Sequence, residues 1–73
     1  MQRSTKQRTA IQQAMTQADR PLAPPDVLEL AQATLPGLGI ATVYRALKAM
    51  AEEGVLREVL LPGRSPMYEV AHH

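Results

Sequence analysis

An α+β winged helix-turn-helix, three short helices followed by a two-stranded β wing, is the fold this sequence predicts. Three observations lead to it. Apolar residues recur at helical spacing in three segments separated by Pro- and Gly-bearing breaks. After Gly54 the pattern changes to a β-favouring run, a Pro-Gly turn and a second such run. The apolar fraction of 45% comes mostly from Ala, Leu, Val, Ile and Met, with no Phe or Trp, and a core of small aliphatic side chains suits closely packed helices.

The first helix is expected to start at Ser4, because Ser4 and Gln7 have the spacing of a capping box. Ala10, Ile11, Ala14, Met15 and Ala18 give it one apolar stripe, and Asp19-Arg20-Pro21 stops it. Pro24-Pro25-Asp26 suits the first turn of a second helix, where proline loses no hydrogen bond and an acid meets the positive end of the helix dipole. Val27, Leu28, Ala31 and Leu35 are its expected buried face, and Pro36-Gly37-Leu38-Gly39 is a tight break. A third helix is expected from about Ala41 to Glu53, closed by Gly54. Val43, Ala46, Leu47 and Met50 share one side of it, Arg45, Lys48 and Glu52 fall roughly opposite, and Tyr44 lies on the flank. Val55 to Leu61 and Met67 to Val70 are the two strands, joined through Pro62-Gly63-Arg64-Ser65-Pro66.

The 73 residues suffice for one compact domain, expected over residues 1–71. There is no cysteine, which fits a reducing compartment, and no run of 18 apolar residues or secretory segment, so a cytoplasmic protein is expected. The net charge is only +1. Its distribution is uneven: Arg3, Lys6 and Arg8 stand in the first eight residues with no acid among them, and Arg45, Lys48, Arg57 and Arg64 follow. Local positive patches on a nearly neutral body are compatible with DNA binding and equally with an ordinary mixed-charge surface.

A helix that enters the major groove needs its apolar face on the core and hydrogen-bonding or flat side chains on the other. The third helix meets that description. Arg45 can bond guanine with two hydrogen bonds, Tyr44 can offer its ring to a thymine methyl and its hydroxyl to a phosphate, and Thr42 sits in the first turn, where helix N-termini meet phosphates. Periodicity alone is satisfied as well by a solvated Arg45–Lys48 face with Tyr44 packed beneath the wing.

Ile40-Ala41-Thr42-Val43-Tyr44-Arg45-Ala46-Leu47, with Gly54-Val55 following, resembles the recognition-helix signature of the ferric uptake regulator (Fur) family. Thr5-Lys6-Gln7-Arg8 with Ile11 resembles that family's opening segment, Gly63-Arg64-Ser65 and Tyr68-Glu69 its wing tip and returning strand, and His72-His73 the start of its histidine-rich stretch. The resemblance implies the DNA-binding half of a metal-responsive bacterial transcriptional repressor that reads AT-rich palindromic operators in double-stranded DNA. It makes Tyr44 and Arg45 the base-reading pair, Thr42 and Arg8 phosphate contacts, Lys6 a backbone or minor-groove contact, and Arg64 a reach to a neighbouring phosphate, with Lys48 on the same basic face. It also implies a C-terminal half that dimerises and binds iron or zinc. The chain ends where that half would begin, so a homodimer is expected only with it. Residues 72–73 are expected to be the start of the histidine-rich stretch or the remnant of a tag.

The family's sensory metal site often combines a glutamate of the returning strand, histidines after it and a histidine before the second helix. Glu69, His72 and His73 match the first two elements, but Asp19-Arg20-Pro21-Leu22 has no histidine for the third, so the site is expected to be incomplete and the fragment to carry no cofactor. Enzymatic chemistry is not expected: there is no Gly-rich phosphate loop, no Cys nucleophile and no pair of carboxylates beside a histidine. The alternative function is a winged helix that docks another protein through its third helix, which would usually expose more apolar area.

Overall fold

The computed structural model describes residues 3–71, with side chains from Lys6 onward. The side chains of Arg3 and Ser4, and residues 72–73, lie outside what is described. Helix α1 spans Arg3–Ala18, α2 Pro24–Ala31 and α3 Ile40–Glu52; strand β1 is Leu56–Val59 and β2 Met67–Val70. The strands pair antiparallel, with Leu56 opposite Val70, Arg57 opposite Glu69, Glu58 opposite Tyr68 and Val59 opposite Met67. This is the expected winged-helix order.

Each helix ends for a local reason. The backbone is already helical at Arg3, so Ser4 lies in the first turn of α1 and not at its cap. Asp19 follows α1 with φ 52°, a left-handed conformation that Asp tolerates better than most residues. Ala23 caps α2 without a side-chain bond, and Pro24 fills the first position, where a missing N–H goes unnoticed. The helix closes four residues before Leu35, which was expected on its buried face. Beyond Ala31 the backbone tightens into successive turns, with the amides of Ala33 and Thr34 bonding the carbonyls of Leu30 and Ala31. These turns leave Leu35 half-buried and send Leu38 fully into the core. The side-chain amide of Gln32 donates to the Leu38 carbonyl at 3.0 Å and pins that turn.

At the end of α3, the Gly54 amide bonds the Ala51 carbonyl at 3.1 Å and the Val55 amide bonds the Met50 carbonyl at 2.9 Å. That pair of bonds is a Schellman turn, completed by apolar residues at Val55 and Met50. Gly54 has φ +85°, and a β-carbon there would meet nothing within 4 Å. Gly54→Ala therefore adds backbone strain and no clash. It is expected to cost about 1–2 kcal/mol and to lower the melting temperature by several degrees, read from the far-ultraviolet circular dichroism melt. An unchanged melting temperature would mean that the helix end relaxes into another cap.

The core collects Ala10, Ile11, Ala14 and Met15 of α1, Val27 and Ala31 of α2, Val43, Leu47 and Met50 of α3, and Leu22, Leu38, Leu56 and Tyr68 from connections and wing. The three helices pack pairwise, α3 also lies on β1, and α1 touches β2. Leu22, to which the sequence assigned no place in the core, pairs with Tyr68 across an isolated bridge, each amide bonding the other's carbonyl at 2.8 Å. The α1–α2 connection is thus bridged to the wing at a single residue, which ties the wing to the helices. Among the described residues no helix is long and apolar enough to cross a membrane.

Candidate nucleic-acid interface

Helix α3 is anchored by Val43, Leu47 and Met50, all fully buried, with Ala46 half-buried beside them. That spacing turns Tyr44, Arg45 and Lys48 outward. Tyr44 is 46% exposed, and its phenol lies near enough to Tyr68 of the wing to act on that residue's charge. No side chain caps the first turn of α3, whose N-cap is Gly39, and Thr42 sits half-buried within that turn.

Thr42, Arg45, Ala46 and Ala49 recur every three or four residues and face α1, where Gln7 and Arg8 complete an open groove of about 290 Å³. The structure therefore brings Arg8, Thr42 and Arg45 together across two helices. Lys6 is exposed one turn away, beside the α2–α3 connection at Leu35, Gly37 and Leu38. Arg64 is exposed at the wing tip, in the turn where Gly63 takes φ +74°. Lys48 lies further along α3.

Arg8 is not a free cation. Its Nη2 donates to Glu53 Oε1 at 2.7 Å and its Nη1 to Oε2 at 3.0 Å. The hydrogen bond and charge of each partner favour the ionised form of the other, so Glu53 titrates below and Arg8 above its ordinary range. The lowered carboxyl keeps the pair ionised through neutral pH, and the contact is lost only as acid protonates Glu53 below that ordinary range. With the two side chains 38% and 48% exposed, salt screens the contact. Nothing in local spacing points to it, because the partners are 45 residues apart.

The other sequence-derived candidate was the metal set at Glu69. In the structure Arg57, directly across the ladder, holds Glu69 through Nη2 and Nε at 2.6 and 2.9 Å. Asp19, Arg20, Pro21 and Val70 border the same cleft of about 210 Å³. Among the described residues no three His, Cys, Asp or Glu side chains gather to hold a metal ion. The described residues by themselves do not supply the donor set of a regulatory metal; His72 and His73, the other two candidates, lie outside them. On the inner face of the wing, the Tyr68 hydroxyl donates to Glu58 at 3.2 Å. Burial, then the Glu58 charge, push the phenol above its ordinary range, so it stays protonated and structural.

Comparison with known proteins agrees with this architecture. Among curated protein sequences none matches the chain significantly. Solved structures do match, among them the ferric uptake regulator of Francisella tularensis with iron (31% identity, TM-score 0.78, covering 88% of this chain and 49% of that one); the Helicobacter pylori ferric uptake regulator Fur, described as having three functional metal-binding sites (21%, 0.82, 90% and 45%); and the Campylobacter jejuni peroxide stress regulator (21%, 0.78, 92% and 49%). At 21% identity the latter two speak for the fold alone. The chain spans about half the length of each of these proteins. The model of the family described as "Ferric uptake regulator family" matches residues 2–73, nearly the whole chain, and the protein therefore belongs to that family of regulators.

Proposed function

We propose that this chain is the sequence-specific DNA-binding domain of a metal-responsive transcriptional repressor, with α3 as the helix that enters the major groove. The observation that carries the reading is the division of α3: Val43, Leu47 and Met50 are buried, while Tyr44, Arg45 and Lys48 face solvent beside a groove that Arg8 and Thr42 share. In this reading Arg45 bonds a base edge and Tyr44 touches a thymine methyl. Thr42 and Arg8 contact phosphates at the start of α3, Lys6 and Lys48 add backbone charge, and Arg64 reaches the next phosphate from the wing. The operator is an AT-rich palindrome in double-stranded DNA, read by two copies in the cytoplasm. Iron or zinc sensing resides in the longer protein and not in the residues described here.

Titrating the 73-residue chain with an AT-rich palindromic duplex and with a random duplex, over a series of salt concentrations, tests this. Binding to both should fall linearly in log–log form as salt rises, because condensed counterions are released from the phosphates. The palindrome should be held more tightly. A chain that binds neither duplex at low salt would sink the reading. The competing use of the same surface, docking of a protein partner, draws on the exposure of Ile40 and Tyr44 at the start of α3 and would then account better for the site.

A further inference from the structure

We propose that Glu53 is an intramolecular competitor for the phosphate-binding fork of Arg8, and so sets how tightly and how salt-dependently the domain holds the DNA backbone. The proposal rests on the DNA-binding reading above. A guanidinium recognises carboxylate and phosphate through the same planar pair of parallel N–H bonds. In the free domain both terminal nitrogens of Arg8 are already spent on the two oxygens of Glu53. The groove beside them, lined by Arg8, Thr42 and Arg45, is open and wide enough for a phosphate. A phosphate that enters it meets the Arg8 guanidinium, which must first exchange its partner.

The placement of Glu53 has no rationale in helix stability. It is the C-cap of α3, next to Glu52 and with no basic residue in the last turn, so two acids sit at the negative end of the helix dipole. The Schellman turn at Gly54 fixes the backbone there and holds the Glu53 carboxylate over α1. Arg8 offsets that unfavourable placement in the free state. When the fork moves to DNA, Glu53 is left as an unpaired negative charge close to the phosphates. Exchange is accessible because the pair is solvent-exposed, and such pairs are weak and screened.

The test is a double-mutant cycle of Glu53→Gln and Arg8→Ala, read by fluorescence anisotropy on a random-sequence duplex across a salt series, with melting temperatures alongside. Glu53→Gln keeps the side chain's shape and removes its charge. It should bind about two- to fivefold tighter than the parent at low salt, with a slope of log affinity against log salt steeper by up to about one unit. In the Arg8→Ala background the same substitution should gain clearly less, because only the direct repulsion between Glu53 and phosphate remains to be relieved. A Glu53→Gln variant that melts differently but binds as the parent does would show a purely structural pair and overturn the proposal. An equal gain with and without Arg8 would overturn it too, because general repulsion of phosphate by Glu53 would then be the whole effect. Both outcomes leave the DNA-binding reading standing, since the parent binds; a parent that binds no duplex removes that reading and this proposal together.

Discussion

Arg45→Ala is expected to lower affinity for the cognate operator by about 1–3 kcal/mol relative to random DNA. The size follows from the contact removed. A bidentate arginine–guanine bond discriminates among bases, whereas a phosphate contact weakens all sequences alike. Arg45 is exposed on α3, on the side opposite the buried Val43, Leu47 and Met50, so its truncation leaves the core untouched and the melting temperature near that of the parent. Tyr44, next to it and 46% exposed, supplies an internal control. Tyr44→Phe should cost less than Tyr44→Ala, since the ring keeps its apolar contact with a thymine methyl. Binding on one oligonucleotide at one low salt concentration makes the comparison, because a single half-site is weak and salt dominates absolute affinity. A well-folded Arg45→Ala that holds operator as tightly as the parent would remove α3 from the role of recognition helix and favour protein docking.

Leu47→Ala is expected to destabilise the domain by about 2–5 kcal/mol. Leu47 is fully buried on the inner face of α3, among core residues from α1, α2 and the wing. A domain of this size buries only about 60% of the surface its unfolded chain exposes and holds only a few kcal/mol in reserve. The loss is therefore of the order of its whole stability, and the chain should be largely unfolded at room temperature. A urea melt followed by circular dichroism reads this out. The parent should give one cooperative transition, and Leu47→Ala an early or absent one. A variant with nearly parental midpoint would mean that neighbouring side chains, Met15 and Met50 among them, collapse into the space.

The helices were legible because periodicity and breakers are local properties. Ala10, Ile11, Ala14 and Met15 repeat as an α-helical stripe must, Pro24-Pro25 marks a first turn, and Gly54 marks a helix end that only a residue free to take positive φ fills without strain. The change of period after Gly54 disclosed the hairpin, and its turn residues placed the bend. The outward face of α3 was legible for the same reason: once Val43, Leu47 and Met50 are assigned inward, Arg45 and Lys48 have no other side to occupy. The chain's membership in its family rests on the match of the family model to residues 2–73.

Tertiary structure alone decided which charges are free and which breaks are structural. Arg8 reads in the sequence as one more member of a basic cluster, yet the packing of α1 against α3 delivers its guanidinium to Glu53, 45 residues away. Glu69 reads in the sequence as a strand residue that only the family resemblance makes a candidate ligand, and the strand register sets Arg57 directly across from it. Leu22 and Leu38 stand in segments punctuated by Pro and Gly, where no period can mark them as buried. They enter the core because the α1–α2 connection bridges to Tyr68 and the turns after α2 fold inward. Spacing along the chain determines the face a residue takes within its own element; the residue it meets across the core depends on how the elements pack, which is a property of the assembled chain.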